Sequence, residues 1–305
     1  MTYPKATAPL KRIIRKITSK TKAGRILRNP LLNRTFHKMW CTIYGDIFRG
    51  NINGEEFSFY DPFYGCSPYF IKFLGGPYYE HSVIMHMKKI KDNYDSPTFL
   101  DVGAHYGYYT IIMSKLGGPS SKVYSFEPNN EFFKVLSTNV ELNKLQNVTL
   151  HQFALSDRKG IVTLESSEWS KRARALLGVS ARAKMKNIES ISYDQNDYVE
   201  SIPFDDLAEK SRIYPDIVKI DVHGAEGNVI TGMKKALKEH IQHLYCELHE
   251  QMCDDYTAMD IVKALQDAGM EIFEFRGYRT EHGDLIEVPE DLYSNPHDRM
   301  LYARK

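Results

Sequence analysis

A short apolar run turns on two glycines in Phe99-Leu-Asp-Val-Gly-Ala-His-Tyr-Gly-Tyr-Tyr-Thr110 and continues into a helix-like pattern. A strand that ends in a glycine-rich turn at a helix N-terminus lets backbone N–H groups approach a ligand closely. The spacing of Gly103 and Gly107 differs from the G-x-G-x-x-G pattern of dinucleotide sites, and Asp101 precedes the first glycine. An acid in this turn repels a pyrophosphate but pairs with an amino group. The turn therefore favours a nucleoside ligand with a cationic amino-acid part over a nicotinamide cofactor, although any α/β protein can end a strand on glycine.

The composition is that of a globular protein with a full core. The chain has 305 residues, of which 42% are hydrophobic and 26% charged. We find no apolar run near the roughly 18 residues that a membrane span needs, and no signal peptide. The four cysteines form neither a C-x-x-C pair nor a zinc spacing, which is typical of reduced thiols in an intracellular, cytoplasmic protein.

Residues 1–45 form a basic arm. They contain eleven Lys or Arg and no acid, so the rest of the chain carries a formal charge of −10 against +1 for the whole. Leu10, Ile13, Ile14 and Ile17 have the spacing of an amphipathic helix. Such a helix can pack on the body, lie on an anionic membrane surface, touch nucleic acid or serve as a transit peptide.

The rest of the chain predicts one α/β domain with an extension. Residues 46–97 indicate a hairpin over 46–64, with its turn at Asn51–Gly54, and a helix over 79–91. From residue 98 to 305 strands and helices alternate, which predicts a doubly wound, mostly parallel, seven-stranded sheet. Its last strand, Met300–Arg304, should return antiparallel at an edge. The predicted strands are 98–102, 122–126, 148–153, 160–165, 216–221, 243–248, 271–275 and 299–304, and the predicted helices 107–116, 130–143, 204–210, 226–238 and 256–268.

Residues 166–200 interrupt this alternation. They carry six Lys or Arg and few large apolar residues, so we expect an insertion above the sheet. Ligands of α/β sheets bind outside the carboxyl ends of the strands. The insertion either covers an acidic substrate there or is an exposed loop with a solvated charge run.

Four acids fall at the ends of successive predicted strands. Asp101 ends the first strand, and Glu127 ends the second, where an acid can accept both hydroxyls of a ribose. Asp157 follows the third strand, within reach of an adenine amino group, and Asp221 follows the fourth. This repetition favours a ligand site over chance placement of loop acids.

The same residues carry a resemblance to a known family. Asp101-Val-Gly-Ala-His-Tyr-Gly107, Phe126-Glu-Pro128, Ala154-Leu-Ser-Asp157 and Lys219-Ile-Asp-Val-His-Gly-Ala-Glu226 resemble successive motifs of the FkbM family of S-adenosylmethionine-dependent methyltransferases. The resemblance implies the Rossmann-like class I methyltransferase fold and O-methylation of a sugar or sugar-like hydroxyl. It also implies that Asp101, Gly103, Ala104, His105 and Gly107 hold the methionine end, Glu127 the ribose and Asp157 the adenine.

Two positions depart from the family pattern. The family usually has Asn where this chain has His105, and Asp-Val-Glu-Gly where it has Asp221-Val-His223-Gly. His223 either keeps a base role or marks a changed substrate.

Methyl transfer to oxygen needs in-line geometry and removal of the hydroxyl proton. The candidate groups lie after two adjacent central strands: Asp221, His223, Glu226, Glu247 and His249. We expect Asp221, His223, Glu247 and His249 to act on the acceptor, with His223 and His249 as the base. Glu247 and His249 share a strand face, so with Asp221 they could instead hold a divalent metal.

The sequence therefore predicts a cytoplasmic O-methyltransferase, peripheral to a membrane if the arm binds lipid, that acts on a sugar in a glycan or glycolipid. The first alternative is an RNA or protein methyltransferase that grips a polyanion with the arm. The second is a non-catalytic adapter that keeps the fold.

Overall fold

A computed structural model describes residues 47–52, 54–60, 80–165, 182–184, 198–249, 256–280, 282–289 and 299–305. The predicted arm of residues 1–45 lies outside these ranges, as does most of the predicted insertion. The helices are α1 His81–Lys91, α2 Tyr108–Gly117, α3 Asn130–Leu142, α4 Phe204–Ser211, α5 Glu226–Thr231, α6 Lys234–Glu239 and α7 Ala258–Asp267. The strands are β1 Ile47–Ile52, β2 Glu55–Tyr60, β3 Thr98–Val102, β4 Lys122–Phe126, β5 Val148–His151, β6 Ala154–Leu155, β7 Gly160–Glu165, β8 Arg182–Lys184, β9 Tyr198–Ile202, β10 Ile217–Ile220, β11 His243–Leu248, β12 Glu271–Arg276, β13 Asp284–Glu287 and β14 Arg299–Arg304.

The main sheet has the order β13-β12-β14-β11-β10-β3-β4-β5. Its central strands run parallel from β5 to β11, and β14 is antiparallel to both of its neighbours. The predicted doubly wound, mostly parallel sheet with an antiparallel last strand is confirmed. Two details differ: β13 makes an eighth strand, and β14 lies inside the sheet, between β11 and β12, rather than at its edge.

The sheet is buried on both faces. Neighbouring residues of β3 point to opposite sides, so that Phe99 packs into one hydrophobic core and Leu100 into the other. The core around Phe99 includes residues of α1 and α2, and the core around Leu100 includes residues of α5, α6 and α7. Such double coverage explains the near-continuous apolar runs of the central strands.

A second sheet of four strands, β6-β9-β7-β8, stands apart from the main one. The strand predicted at 160–165 belongs here, and the strand predicted at 148–153 ends at His151 before β6 begins. The helix predicted over 226–238 is two helices, α5 and α6, and Gly232 between them lies against this region. A Cβ on Gly232 would meet the Ser156 carbonyl oxygen at 1.9 Å. Asp205 then caps α6, accepting hydrogen bonds from the backbone N–H groups of Lys235 and Ala236 at 2.8 and 2.9 Å.

The hairpin β1–β2 forms as predicted, and asparagines of α3 attach it to the domain. Asn139 and Asn143 each use the side-chain amide to bond the backbone of β2, at Tyr60 and Ser58. These amides form the backbone hydrogen bonds that a neighbouring strand would otherwise form with β2. None of the described helices combines the length and the apolar composition that crossing a bilayer requires.

Candidate active site

The turn after β3 joins three strand ends. The N–H groups of Gly103 and Ala104 both donate to the Phe126 carbonyl of β4 at 3.0 Å, and Asp221 N–H donates to the Val102 carbonyl at 2.9 Å. Gly103 has φ +81, and a Cβ there would meet the backbone oxygen of Asp221 at 1.9 Å. This glycine therefore lets β3 and β10 approach each other, a role different from the predicted approach to a ligand. Gly107, with φ +86, precedes α2.

Asp101 is buried beside this turn. Its Oδ2 accepts a hydrogen bond from Thr110 Oγ1 at 2.6 Å, and that hydroxyl also contacts Ser125 Oγ. Burial raises the pKa of Asp101 to about 6, although the Thr110 hydrogen bond and the Lys219 ammonium oppose this shift. A cation bound near Asp101 would stabilise the ionised form of its carboxyl group, which burial disfavours.

Glu127 follows β4 and is held by two backbone donors. Its Oε2 accepts from His105 N–H and its Oε1 from Asn129 N–H, each at 2.8 Å. Burial raises the pKa of Glu127 to about 7 despite these bonds. Each carboxylate oxygen keeps a second acceptor position, which a hydroxyl can use.

Both histidines that depart from the family pattern adopt the left-handed backbone conformation, with φ +52 at His105 and +51 at His223. Asn and His are enriched there among non-glycine residues, which accounts for the exchange of the family's Asn for His105. The His105 ring packs against Tyr106 and Phe132, with centroids 3.8 and 4.2 Å away. Burial lowers the pKa of His105 to about 3, so the ring is neutral. His105 reaches Glu127 through its backbone N–H rather than through its ring.

Asp221, His223 and His249 lie together beyond the ends of β10 and β11. Asp221 Oδ1 is 3.8 Å from Nε2 of His223 and 3.9 Å from Nε2 of His249. The two imidazole rings are 4.4 Å apart between centroids. The His223 side chain is 34% exposed and that of His249 only 3%, so solvent reaches the cluster from the His223 side.

Glu226 holds the second histidine from behind. Its Oε1 is 2.9 Å from His249 Nδ1, and both its oxygens accept from Gly224 N–H. Burial alone would lower the pKa of His249, but the bond to Glu226 and the carboxylates of Asp221 and Glu247 raise it to about 9. At His223, burial and the neighbouring His249 outweigh Asp221 and lower the pKa.

Glu247 borders this cluster, and a hydrogen bond between its carboxyl group and that of Asp221 helps to lower the pKa of Asp221. Its Oε1 accepts from Tyr278 OH at 2.7 Å and from Arg279 Nη2 at 2.5 Å. Burial and the carboxylates of Asp221 and Glu80 raise the pKa of Glu247 to about 8. The group whose ligand atoms converge contains His223 where we expected Glu247.

Sequence reasoning assigned no role to two residues of this region. Lys219 is fully buried, with Nζ 3.4 Å from Asp221 Oδ2 and 5.2 Å from the Tyr109 ring centroid. Glu80, also buried, accepts a hydrogen bond from Tyr109 OH. The lysine inside the apolar strand Ile217–Ile220 could have been recognised from the sequence as an unusual buried charge, whereas nothing in the sequence distinguished Glu80 from other acids.

Asp157 stands apart from the other predicted site residues. It follows β6 of the second sheet rather than a strand of the main sheet. Its side chain contacts Ser156 Oγ at 3.2 Å and Arg158 Nε at 3.5 Å. The structure thus brings the turn Asp101–Gly107, Glu127 and the Asp221 cluster together, and leaves Asp157 with local partners.

Comparisons with known proteins find one matching family model and several similar methyltransferases. A model of the methyltransferase FkbM domain matches residues 101–280. The hexuronic acid methyltransferase AglP of Haloferax volcanii is 27% identical over 169 residues, which is 55% of this chain and 61% of that protein. Methyltransferase 1 of Beauveria bassiana is 23% identical over 179 residues, or 56% of this chain and 72% of that protein. The chain thus spans less than two thirds of AglP.

Among solved structures, the methyltransferase FkbM of Methylobacillus flagellatus is similar with a TM-score of 0.42 and 16% identity. The match covers 68% of this chain and 44% of that one.

Proposed function

We propose that this chain is an S-adenosylmethionine-dependent O-methyltransferase. It belongs to the methyltransferase FkbM domain family, because the family's model matches more than half of it. Its acceptor is a hydroxyl of a sugar in a glycan or glycolipid. The observation that carries the proposal is the convergence of Asp101, Glu127 and Asp221 at the carboxyl ends of three adjacent parallel strands. The name of the relative AglP supports a sugar acceptor.

The buried acids fit the chemistry of this cofactor. S-adenosylmethionine, when bound, supplies a methyl group on a cationic sulfonium, together with an ammonium and two ribose hydroxyls. Glu127 is held by backbone donors and can accept from hydroxyls, so we assign it the ribose. Asp101 and the turn Gly103-Ala-His-Tyr-Gly107 take the methionine part. We assign the adenine to Asp157, an assignment that requires the second sheet to border the ligand.

The cluster of Asp221, His223 and His249 receives the acceptor. The cofactor, when bound, would supply an electrophilic methyl group to the acceptor oxygen, with its sulfur as the leaving group. The hydroxyl proton leaves at the cluster. His223 is the exposed member and reaches the acceptor first, while Glu226 orients His249 and Lys219 orients Asp221.

Calorimetry with S-adenosylmethionine tests the cofactor half of the proposal. We expect one binding site in the native protein and no measurable binding in Asp101→Ala, because the buried acid is the counter-charge for the ammonium. Glu131→Gln is the matched control, since Glu131 is an exposed acid in the first turn of α3. Retained affinity in Asp101→Ala would mean that the turn does not hold the cofactor, and no binding by the native protein would favour the adapter alternative.

The acceptor is tested by incubating the enzyme with methyl-labelled cofactor and separate glycan, lipid and RNA fractions. We expect label in sugar hydroxyls of the glycan or glycolipid fraction. Label in RNA alone would favour the nucleic-acid alternative. The membrane role of residues 1–45 is tested in the same experiment by adding anionic vesicles to the lipid fraction.

A further inference from the structure

We propose that Asp221, His223 and His249 bind a divalent first-row transition cation of the Zn²⁺, Mn²⁺ or Fe²⁺ class. The role of the cation in catalysis rests on the proposed function, because the cation would bind the acceptor hydroxyl and lower its pKa. Cation binding itself does not depend on that function and can be measured alone.

The first support is the geometry of the three side chains. One ligand atom from each of the three residues lies within 4.8 Å of the others. Bonds of about 2.1 Å in a tetrahedral arrangement place two ligand atoms roughly 3.4 Å apart. Asp221 Oδ1 lies 3.8 and 3.9 Å from Nε2 of His223 and Nε2 of His249, so each carboxylate–imidazole pair is about half an ångström from that spacing.

The second support is an acceptor atom without a donor. In the described part of the chain, Asp221 Oδ1 is buried and receives no hydrogen bond. The other oxygen of this carboxylate contacts the Lys219 ammonium, which fixes the orientation and leaves Oδ1 facing the histidines. A buried carboxylate oxygen without a partner is costly, and a bound cation removes that cost.

The third support is the group behind His249. Glu226 is fully buried and contacts Nδ1 of this ring, while Nε2 faces Asp221. A metal-bound histidine usually donates its other ring N–H to a carboxylate, which fixes the tautomer and orients the ring. Mixed imidazole and carboxylate ligands suit transition cations better than Mg²⁺ or Ca²⁺, which prefer oxygen.

Titration with Co²⁺ alone tests the site, because its visible absorption reports the ligands. Tag-free full-length protein is first dialysed against a chelator, and no cofactor or acceptor is added. We expect saturation at one equivalent, reversed by Zn²⁺, and at least 10-fold weaker binding in Asp221→Asn and His223→Asn. Glu226→Gln should weaken binding by roughly 10- to 100-fold through the ring orientation. His240→Ala, which removes a more remote surface histidine, should change nothing.

Each outcome bears on the inference separately from the proposed function. Absence of one-equivalent saturation, or equal affinity in native protein and His223→Asn, would overturn it. A native-like urea unfolding midpoint in His223→Asn shows that the variant is folded. Co²⁺ binding without cofactor binding would keep the cation site and reject the methyltransferase, and the converse would reject only the cation site.

Discussion

Two pairs of histidines differ in their partners, and a member of each lies at one end of strand β11. His243 is the first residue of β11 and pairs through Nδ1 with Tyr302 OH at 2.8 Å, while His86 of α1 pairs with Tyr245 OH at 2.6 Å. His249 lies just beyond the other end of β11 and pairs with Glu226. We call His86 and His243 the tyrosine-paired histidines, and His223 and His249 the carboxylate-paired histidines.

The difference follows from strand direction. The carboxyl ends of parallel strands carry the site, where acids gather, whereas the amino end of β11 packs among aromatic rings. Burial and nearby cations lower the pKa of both tyrosine-paired histidines to about 4, so they are neutral. Burial acts on His249 too, but its carboxylate partners prevail and raise its pKa. One residue type is therefore structural at one end of a strand and a candidate for chemistry at the other.

The largest effect should come from removing the carboxylate partner. In chelator-treated protein, Glu226→Ala leaves a buried charged imidazole without its counter-charge, which typically costs about 3–5 kcal/mol of unfolding free energy. Tyr302→Phe removes a neutral hydrogen bond from the other pair and should cost about 1 kcal/mol. Urea unfolding of both variants gives the comparison. Equal losses would show that the two pairs do not differ in charge.

The strand pattern that underlies this comparison was readable in the sequence. Apolar runs bounded by turn residues located β3, β4 and β11 to the residue. The acids and the histidine after these strands were readable too, because the carboxyl ends of parallel strands lie at one edge. The match to the FkbM family model confirms the resemblance inferred from those motifs.

The interior position of β14 was predictable in principle but missed. Met300, Leu301, Tyr302 and Ala303 are all buried, and a continuous apolar run indicates a strand covered on both faces rather than an edge. The second sheet could not be read in this way, because β6 has two residues and β8 three, too short to show a period. Asp157 follows β6 of that sheet rather than a strand of the main sheet, so its place in the fold could not be read from the strand pattern either.

The second effect separates activity from stability. His223→Asn keeps a residue that tolerates the left-handed conformation but removes the imidazole, so we expect turnover to fall about 100-fold with unchanged cofactor affinity. His86→Phe keeps an aromatic ring and leaves the Tyr245 hydroxyl without its partner. This variant should lose roughly 1–3 kcal/mol of unfolding free energy at neutral pH while turnover per folded molecule stays unchanged.

These two variants should behave oppositely in a paired measurement of initial rates and urea midpoints. Unchanged turnover in His223→Asn would remove His223 from the reaction. A turnover loss in His86→Phe would show that the tyrosine-paired histidines are coupled to the site, and the division by strand direction would then fail.

The smallest effect is the acid sensitivity of the tyrosine-paired histidines. Their folded pKa of about 4 lies below the ordinary imidazole value of 6.5, so the unfolded chain binds more protons between these pH values. Their contribution to stability is therefore complete above pH 6.5 and is lost as the pH falls towards 4. One such histidine accounts for at most about 1.4 kcal/mol per pH unit, and less for a half-buried ring.

The groups that set the pKa of His86 are burial, His243, Lys89 and Arg304, all of which disfavour its charged form. His86→Phe removes this titration without touching the carboxylates of the site. Between pH 6 and pH 5 the native protein should lose more unfolding free energy than the variant, by at most about 1 kcal/mol because the ring is half-buried, as measured by urea unfolding at each pH. If the pH profiles of the native protein and the variant were parallel, His86 would take up a proton in the folded state as readily as in the unfolded chain. The tyrosine partner would then not distinguish His86 from His249.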